Sequence, residues 1–148
     1  MLILQGDRAL SSFRIQSLIA RAQADGIQIK GLNCTYLFFV MGEVHDSKKL
    51  TELLGAGPLN IGSGSVVVPR SGTTSPWSSK ATEIVKNCGF ENVSRIERGM
   101  HVVIEGEYGD TDRGLLNRLI SDPMMEEVLD ILPVDAFFTP EPPEPLGI

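Results

Sequence analysis

The chain opens with a short apolar run, Leu2-Ile3-Leu4, that stops at Gly6, which is the length and boundary of a strand. Ser11 and Ser12 follow as candidate helix caps. Behind them Ile15, Leu18, Ile19 and Ala22 fall at i, i+3, i+4 and i+7, one face of a helix, and Gly26 supplies its stop. Ile27 to Met41 is rich in β-branched and aromatic residues and reads as a long strand with a bulge or bend at Gly31. Asp46 reads as the cap of a second helix, Ser47 to Leu54, ended by Gly55. Gly55 to Ser65 reads as a loop.

The pattern then restarts. Val66-Val67-Val68 is a strand, and Ala81, Ile84, Val85 and Cys88 repeat the helical spacing up to a stop at Gly89. Val93 to Glu105 is a second long β stretch, interrupted at Gly99, and Asp110 caps a helix through Ile120. Ile15, Leu18, Ile19 and Ala22 map onto Ala81, Ile84, Val85 and Cys88 at a shift of 66, Lys30-Gly31-Leu32 onto Arg98-Gly99-Met100 at 68, and Asp46 onto Asp110 at 64. The pattern predicts an α+β fold: two tandem strand–helix–strand–helix units related by a pseudo-two-fold, with mainly antiparallel sheet and helices packed on one face. Each unit alone would leave a sheet face bare, and pairing buries both. Chance similarity of two α/β segments is the competing explanation.

After Ser121 the character changes. Asp122-Pro123 is expected to open a further helix, with Met125, Val128, Leu129 and Leu132 apolar and Pro133 ending it. Four of the nine prolines then crowd into the end, at Pro140, Pro142, Pro143 and Pro145. That composition is an extended linker, so residues 1–139 read as a domain and 140–148 as the start of a linker in a longer polypeptide.

Composition narrows the function classes. With 148 residues and 42% apolar content, one globular domain is expected. A net charge of -6 argues against a broad nucleic-acid or anionic-membrane surface. No run approaches the 18 apolar residues of a membrane helix, and the start lacks the form of a signal peptide, so the cytoplasm is the default compartment. Cys34 and Cys88 lie far apart in apolar surroundings and read as buried free thiols, with a structural disulfide as the alternative.

The chain shows no conventional catalytic set. His45 precedes a helix cap and reads as surface; His101 sits in a strand and reads as half-buried and structural. No metal-binding spacing appears, Gly62-Ser63-Gly64 precedes a strand and so is no dinucleotide fingerprint, and P-loop and nucleophile-elbow motifs are absent. One segment stands out, Val68 to Glu83, which joins a strand end to a helix start. It holds the only tryptophan, a dense set of hydroxyls, and Arg70 and Lys80 on either side. Ser75 followed by Pro76 forms an N-cap and N1 pair, and a helix N-terminus can hold an anion. Two readings stay open: a binding loop for an anionic ligand or a partner domain, and a well-capped helix with Trp77 as a core or interface anchor.

That segment carries a resemblance. Pro69-Arg70-x-Gly72-Thr73-x-Ser75-Pro76-Trp77-Ser78-Ser79-Lys80-Ala81-Thr82-Glu83-Ile84, with Asn87-Cys88-Gly89 after it, resembles the N-terminal domain of large-type phosphoribosylformylglycinamidine synthase, or FGAR amidotransferase. The Ala9-Leu10-Ser11-Ser12-Phe13-Arg14 start and Arg95-Ile96-Glu97-Arg98-Gly99 are also similar, so the likeness runs over roughly residues 1 to 140. The resemblance implies a much longer ligase that converts FGAR, ATP and glutamine to FGAM in purine biosynthesis, with magnesium. Its N-terminal domain is similar to a dimer of the small subunit of the multi-subunit form. The glutaminase triad and the ATP and magnesium carboxylates belong to later domains, so no catalytic, metal or cofactor residue is expected here, and the chain alone should be inactive. Arg70, Ser75, Trp77, Ser78, Ser79 and Lys80 are the expected contacts to substrate or to the synthetase domain, with Arg70 or Lys80 set to neutralise a substrate phosphate. Expected partners are the synthetase and glutaminase domains, with self-association through an open sheet edge or face a further option. A stand-alone regulatory or ligand-sensing module is the second hypothesis, and a small stand-alone enzyme the third.

Overall fold

The computed structural model describes residues 1–70 and 74–133. Its elements run β1 (Leu2–Arg8), α1 (Ser12–Ala24), β2 (Gln28–Gly42), α2 (Ser47–Leu54), β3 (Gly57–Pro58), β4 (Ser65–Pro69), α3 (Pro76–Asn87), β5 (Val93–Glu107), α4 (Asp110–Ile120) and β6 (Glu126–Leu129). The strands form one sheet in the order β3-β1-β2-β5-β4-β6, and every pairing is antiparallel. Exchanging β1 with β4, β2 with β5 and β3 with β6 leaves this order unchanged. The expected duplication is therefore present, and each unit carries one strand more than its sequence pattern showed.

The long strands β2 and β5 are the seam. They pair from Gln28 opposite Glu107 to Gly42 opposite Val93. Two bulges break the ladder, one at Lys30 and one at Ser94, and each faces a glycine of the other strand. Gly106 has φ +142° and lies against the backbone of Gln28, Ile29 and Lys30; Gly42 has φ +100° and lies against Asn92, Val93 and Ser94. A Cβ at either glycine would collide with that backbone, so both positions need glycine. The two sets are spaced by 64 residues, as Gly42 is from Gly106, which fixes the true offset between the units. The offset of 68 expected from Gly31 and Gly99 is corrected. The bulge beside Gly31 is real, but the ladder passes Gly99 unbroken.

The helical offset of 66 is also corrected. The caps Ser11 and Ser75 are 64 apart, and the C-caps Asp25 and Cys88 are 63 apart. α1 buries the expected face: Leu18 and Ala22 are buried, with Ile15 and Ile19 packed beside them. On α3 the buried face is Ser78 and Val85 with Thr82 between them, while Ile84 and Cys88 are exposed. Cys34 is buried as expected, and Cys88 is not.

All four helices lie on one face of the sheet. Side chains of α1 and α4 pack on Leu32, Cys34, Val67 and Val102; those of α2 and α3 pack on Val40, Val93 and Ile96. The opposite face carries Leu37, Phe39, Met41, Val66 and Val68, joined by Ile61, Leu129 and Leu132. His101 also lies here; it is buried, not half-buried, and among the described residues its Nε2 has no hydrogen-bond partner. His45 is exposed and stacks on Phe90.

The helix expected after Asp122 is a single turn, closed by Met125 and Glu126 N–H groups donating to the Asp122 carbonyl. The chain then extends as β6 and pairs with β4, from Val66 opposite Leu129 to Pro69 opposite Glu126. The apolar spacing fitted a helix, but the unpaired edge of β4 takes this segment as a strand. The proline-rich stretch from Pro140 lies outside the described residues. Among the described residues, no helix is long and apolar enough to cross a membrane.

Candidate functional site

The singled-out segment enters α3 as expected at one point: Ser75 Oγ accepts from Ser78 N at 3.1 Å, and Pro76 occupies the first helical turn. Ser71, Gly72 and Thr73 lie outside the described residues. The remaining predicted residues do not act as one group. Arg70 turns away from α3: its guanidinium donates to the Pro123 carbonyl and lies 3.8 Å from Glu127 Oε1, while its N–H bonds Met125 O at 2.9 Å. Ser79 and Lys80 are exposed. Ser78 is fully buried and donates to Ile96 O at 2.5 Å.

Ser78 has a partner in this work. Thr82 Oγ1 accepts from Ile96 N at 3.0 Å. The reason is topological: among the described residues β4 pairs with β5 only at Met100, His101 and Val102, and no strand lies beside the β5 edge at Ile96. Two hydroxyls of α3 satisfy both backbone groups instead, as buried polar backbone requires. Next to them Glu97 is completely buried. Its carboxylate accepts from Arg95 at 2.9 Å and stands 3.5 Å from Ser75 Oγ. This pair ties the α3 N-terminus to β5.

Trp77 therefore sits at a fixed place. Its ring stacks on Phe38 with centroids 5.8 Å apart. The Arg98 guanidinium lies 4.7 Å from the Trp77 ring and 4.5 Å from the Tyr36 ring. Phe38 and Arg98 are opposite each other across the β2–β5 ladder, so the strands set the spacing of the stack. Such cation–π contacts contribute roughly 0.5–2 kcal/mol each, depending on exposure. A cleft of about 430 Å³ opens at this stack, with Thr74, Ser75, Trp77, Arg98, Met100 and Leu10 among its walls. The structure thus brings together Ser75 and Trp77 from the predicted set. It adds Arg98, Tyr36 and Phe38, which sequence reading did not select. Their signal was alternation: Tyr36 and Phe38 share one face of β2, but only the register with β5 places Arg98 between the rings.

The geometry has a counterpart in a known family. The model of the formylglycinamide ribonucleotide amidotransferase N-terminal domain matches residues 35–136. The chain belongs to this family. The match holds the second half of β2 and all of α3 and β5, and with them Tyr36, Phe38, Ser75, Trp77, Glu97 and Arg98. It begins after β1 and α1, so it covers less than the span of about 1 to 140 expected from resemblance. The FGAR amidotransferase family places the chain in purine biosynthesis.

Proposed function

We propose that this chain is the docking domain of the ATP- and glutamine-dependent ligase that converts FGAR to FGAM. In this reading residues 1–139 form the domain and 140–148 open the linker to a synthetase domain of the same polypeptide, in the cytoplasm. ATP, magnesium and glutamine act in those later domains, and this chain alone turns over nothing. The family match over residues 35–136 carries the reading. The palindromic sheet supports it, because a fused pair of small subunits would have this order. The α3 N-terminus supplies the contact surface: Trp77 and Arg98 are residue types that anchor interfaces, and Ser79 and Lys80 present exposed polar groups beside them.

The test uses the full-length enzyme with Trp77→Ala or Arg98→Ala. A raised KM for FGAR or weakened packing of the domain on the rest of the enzyme is expected. Unchanged KM, kcat and assembly in both variants would remove the proposal. A second reading, a ligand-sensing module, is favoured by one observation, the cleft of about 430 Å³ beside Trp77, which falls in the range of small-molecule sites.

A further inference from the structure

We infer that the cleft beside α3 binds a small molecule carrying a carboxylate or phosphate, with the Arg98 guanidinium as the group that holds it. Arg98 is half-buried. Its contacts are the rings of Tyr36 and Trp77; neither accepts a conventional hydrogen bond, and among the described residues it has no ion pair. An arginine offers five N–H donors in a planar fork suited to carboxylate and phosphate oxygens. Here two rings restrain the side chain and leave the fork unused.

The surroundings favour an anion. The α3 N-cap Ser75 lies in the cleft wall, and the first turn of α3 carries no acidic residue, so the positive end of the helix is uncompensated on its own element. Two carboxylates are near. Glu97 is engaged by Arg95, and Glu126, which lines the cleft, accepts from Asp122 N at 2.9 Å. Thr74 and Ser75 add hydroxyls, while Leu10, Pro69, Met100 and Ile120 supply apolar wall. The fold does not require a cation at this position. At the 64-residue offset the first unit has Cys34, which is buried in the core.

Trp77 is the only tryptophan, and its ring touches Arg98, so its fluorescence reports on the site directly. The chain is titrated with inorganic phosphate and, separately, with acetate, at constant ionic strength. A saturable fluorescence change with at least one anion is expected, and the anion that binds assigns the ligand class. Arg98→Gln should weaken that binding about tenfold or more, the size expected for losing charge-assisted hydrogen bonds. Lys80→Gln should change it less than about twofold, as an exposed charge would. In parallel, the Nε–H resonances of the unmodified protein are followed by NMR, where one arginine signal should move along the same saturation curve. No saturable response to either anion, a response that survives Arg98→Gln in a folded variant, or a curve that moves no arginine signal would overturn the inference.

Discussion

The two halves of the sheet share a backbone plan and differ in what they place on it. Both have a serine-capped first helix, a helix stop at glycine and a bulge facing a glycine, at offsets of 63 or 64 residues. The side chains at equivalent positions diverge around the first helix. Trp77 of the second unit is packed in the ring stack, while its counterpart Phe13 is 85% exposed. Arg98 corresponds to buried Cys34, buried Ser78 to exposed Arg14, and buried Glu97 to exposed Asn33. The turn before the helix differs too. Only Ala9 and Leu10 separate β1 from the Ser11 cap, whereas residues 70–74 separate β4 from Ser75. The repeat thus supplies the scaffold twice, and only the second unit sets a packed Trp77, a half-buried Arg98 and the buried Ser78 and Glu97 on it.

The comparison can be broken at several places. The largest effects should come where the units agree. Ile27 and Phe90 are both buried just past a helix stop, and each donates its N–H back into that helix. Phe90→Ala should cost about 3–5 kcal/mol and Ile27→Ala about 2–5 kcal/mol in urea unfolding. A cost below 1 kcal/mol for either would mean that the two cores are not equivalent.

Where the units disagree, the effects should be one-sided. Glu97→Ala breaks the ion pair that this completely buried carboxylate makes with Arg95 and should cost about 3–5 kcal/mol. Asn33→Ala, at the matching exposed position, should stay within about 0.5 kcal/mol. Cys34 adds a pH signature to the first unit. Burial pushes the Cys34 thiol up from 9.0 to about 11. Below pH 9 both folded and unfolded chains keep this proton, and stability is unaffected by it. Between pH 9 and 11 the unfolded chain loses the proton and the folded one holds it, so stability should fall by about 1.4 kcal/mol per pH unit. Cys34→Ala should flatten the unfolding midpoint over that window. A thiol reagent at pH 8 should label Cys88 in the native chain and both cysteines after unfolding.

The smallest difference concerns the α3 hydroxyls. Ser78→Ala leaves the Ile96 carbonyl without its donor and should cost about 1–2 kcal/mol, whereas Arg14→Ala should change stability by less than about 0.5 kcal/mol.

These asymmetries also mark where sequence reading succeeded and stopped. Most caps and stops are legible because their chemistry is local: Ser11, Asp46 and Ser75 each bond an N–H three residues on, and Gly26, Gly55 and Gly89 adopt positive φ; the expected cap Asp110 is corrected, because it lies inside α4 and Gly109 holds the cap position. The repeat was legible for the same reason. Its register was not. On α3 the buried face contains Ser78 and Thr82, whose partners lie on β5, and aligning by apolar residues slid the helix by two or three positions. β6 was read as a helix because its pairing with β4 is non-local. Arg98 went unselected because an arginine alternating in a strand looks solvated until Tyr36 and Trp77, from two other elements, are placed around it. Arg70 drew attention by its position in the motif, but β6 and the turn before it hold its side chain.

The central claim is that the second unit, through Trp77, carries the working face of this domain. The direct measurement is the affinity of the chain for a separately produced synthetase–glutaminase portion of an FGAR amidotransferase, compared between Trp77→Ala and Phe13→Ala with folding checked by circular dichroism. The account predicts binding that Trp77→Ala weakens about tenfold or more, the loss expected for an interface anchor, and that Phe13→Ala changes less than about threefold, as a peripheral contact would. Absence of binding by the unaltered chain, or loss through Phe13→Ala with Trp77→Ala unaffected, would contradict it.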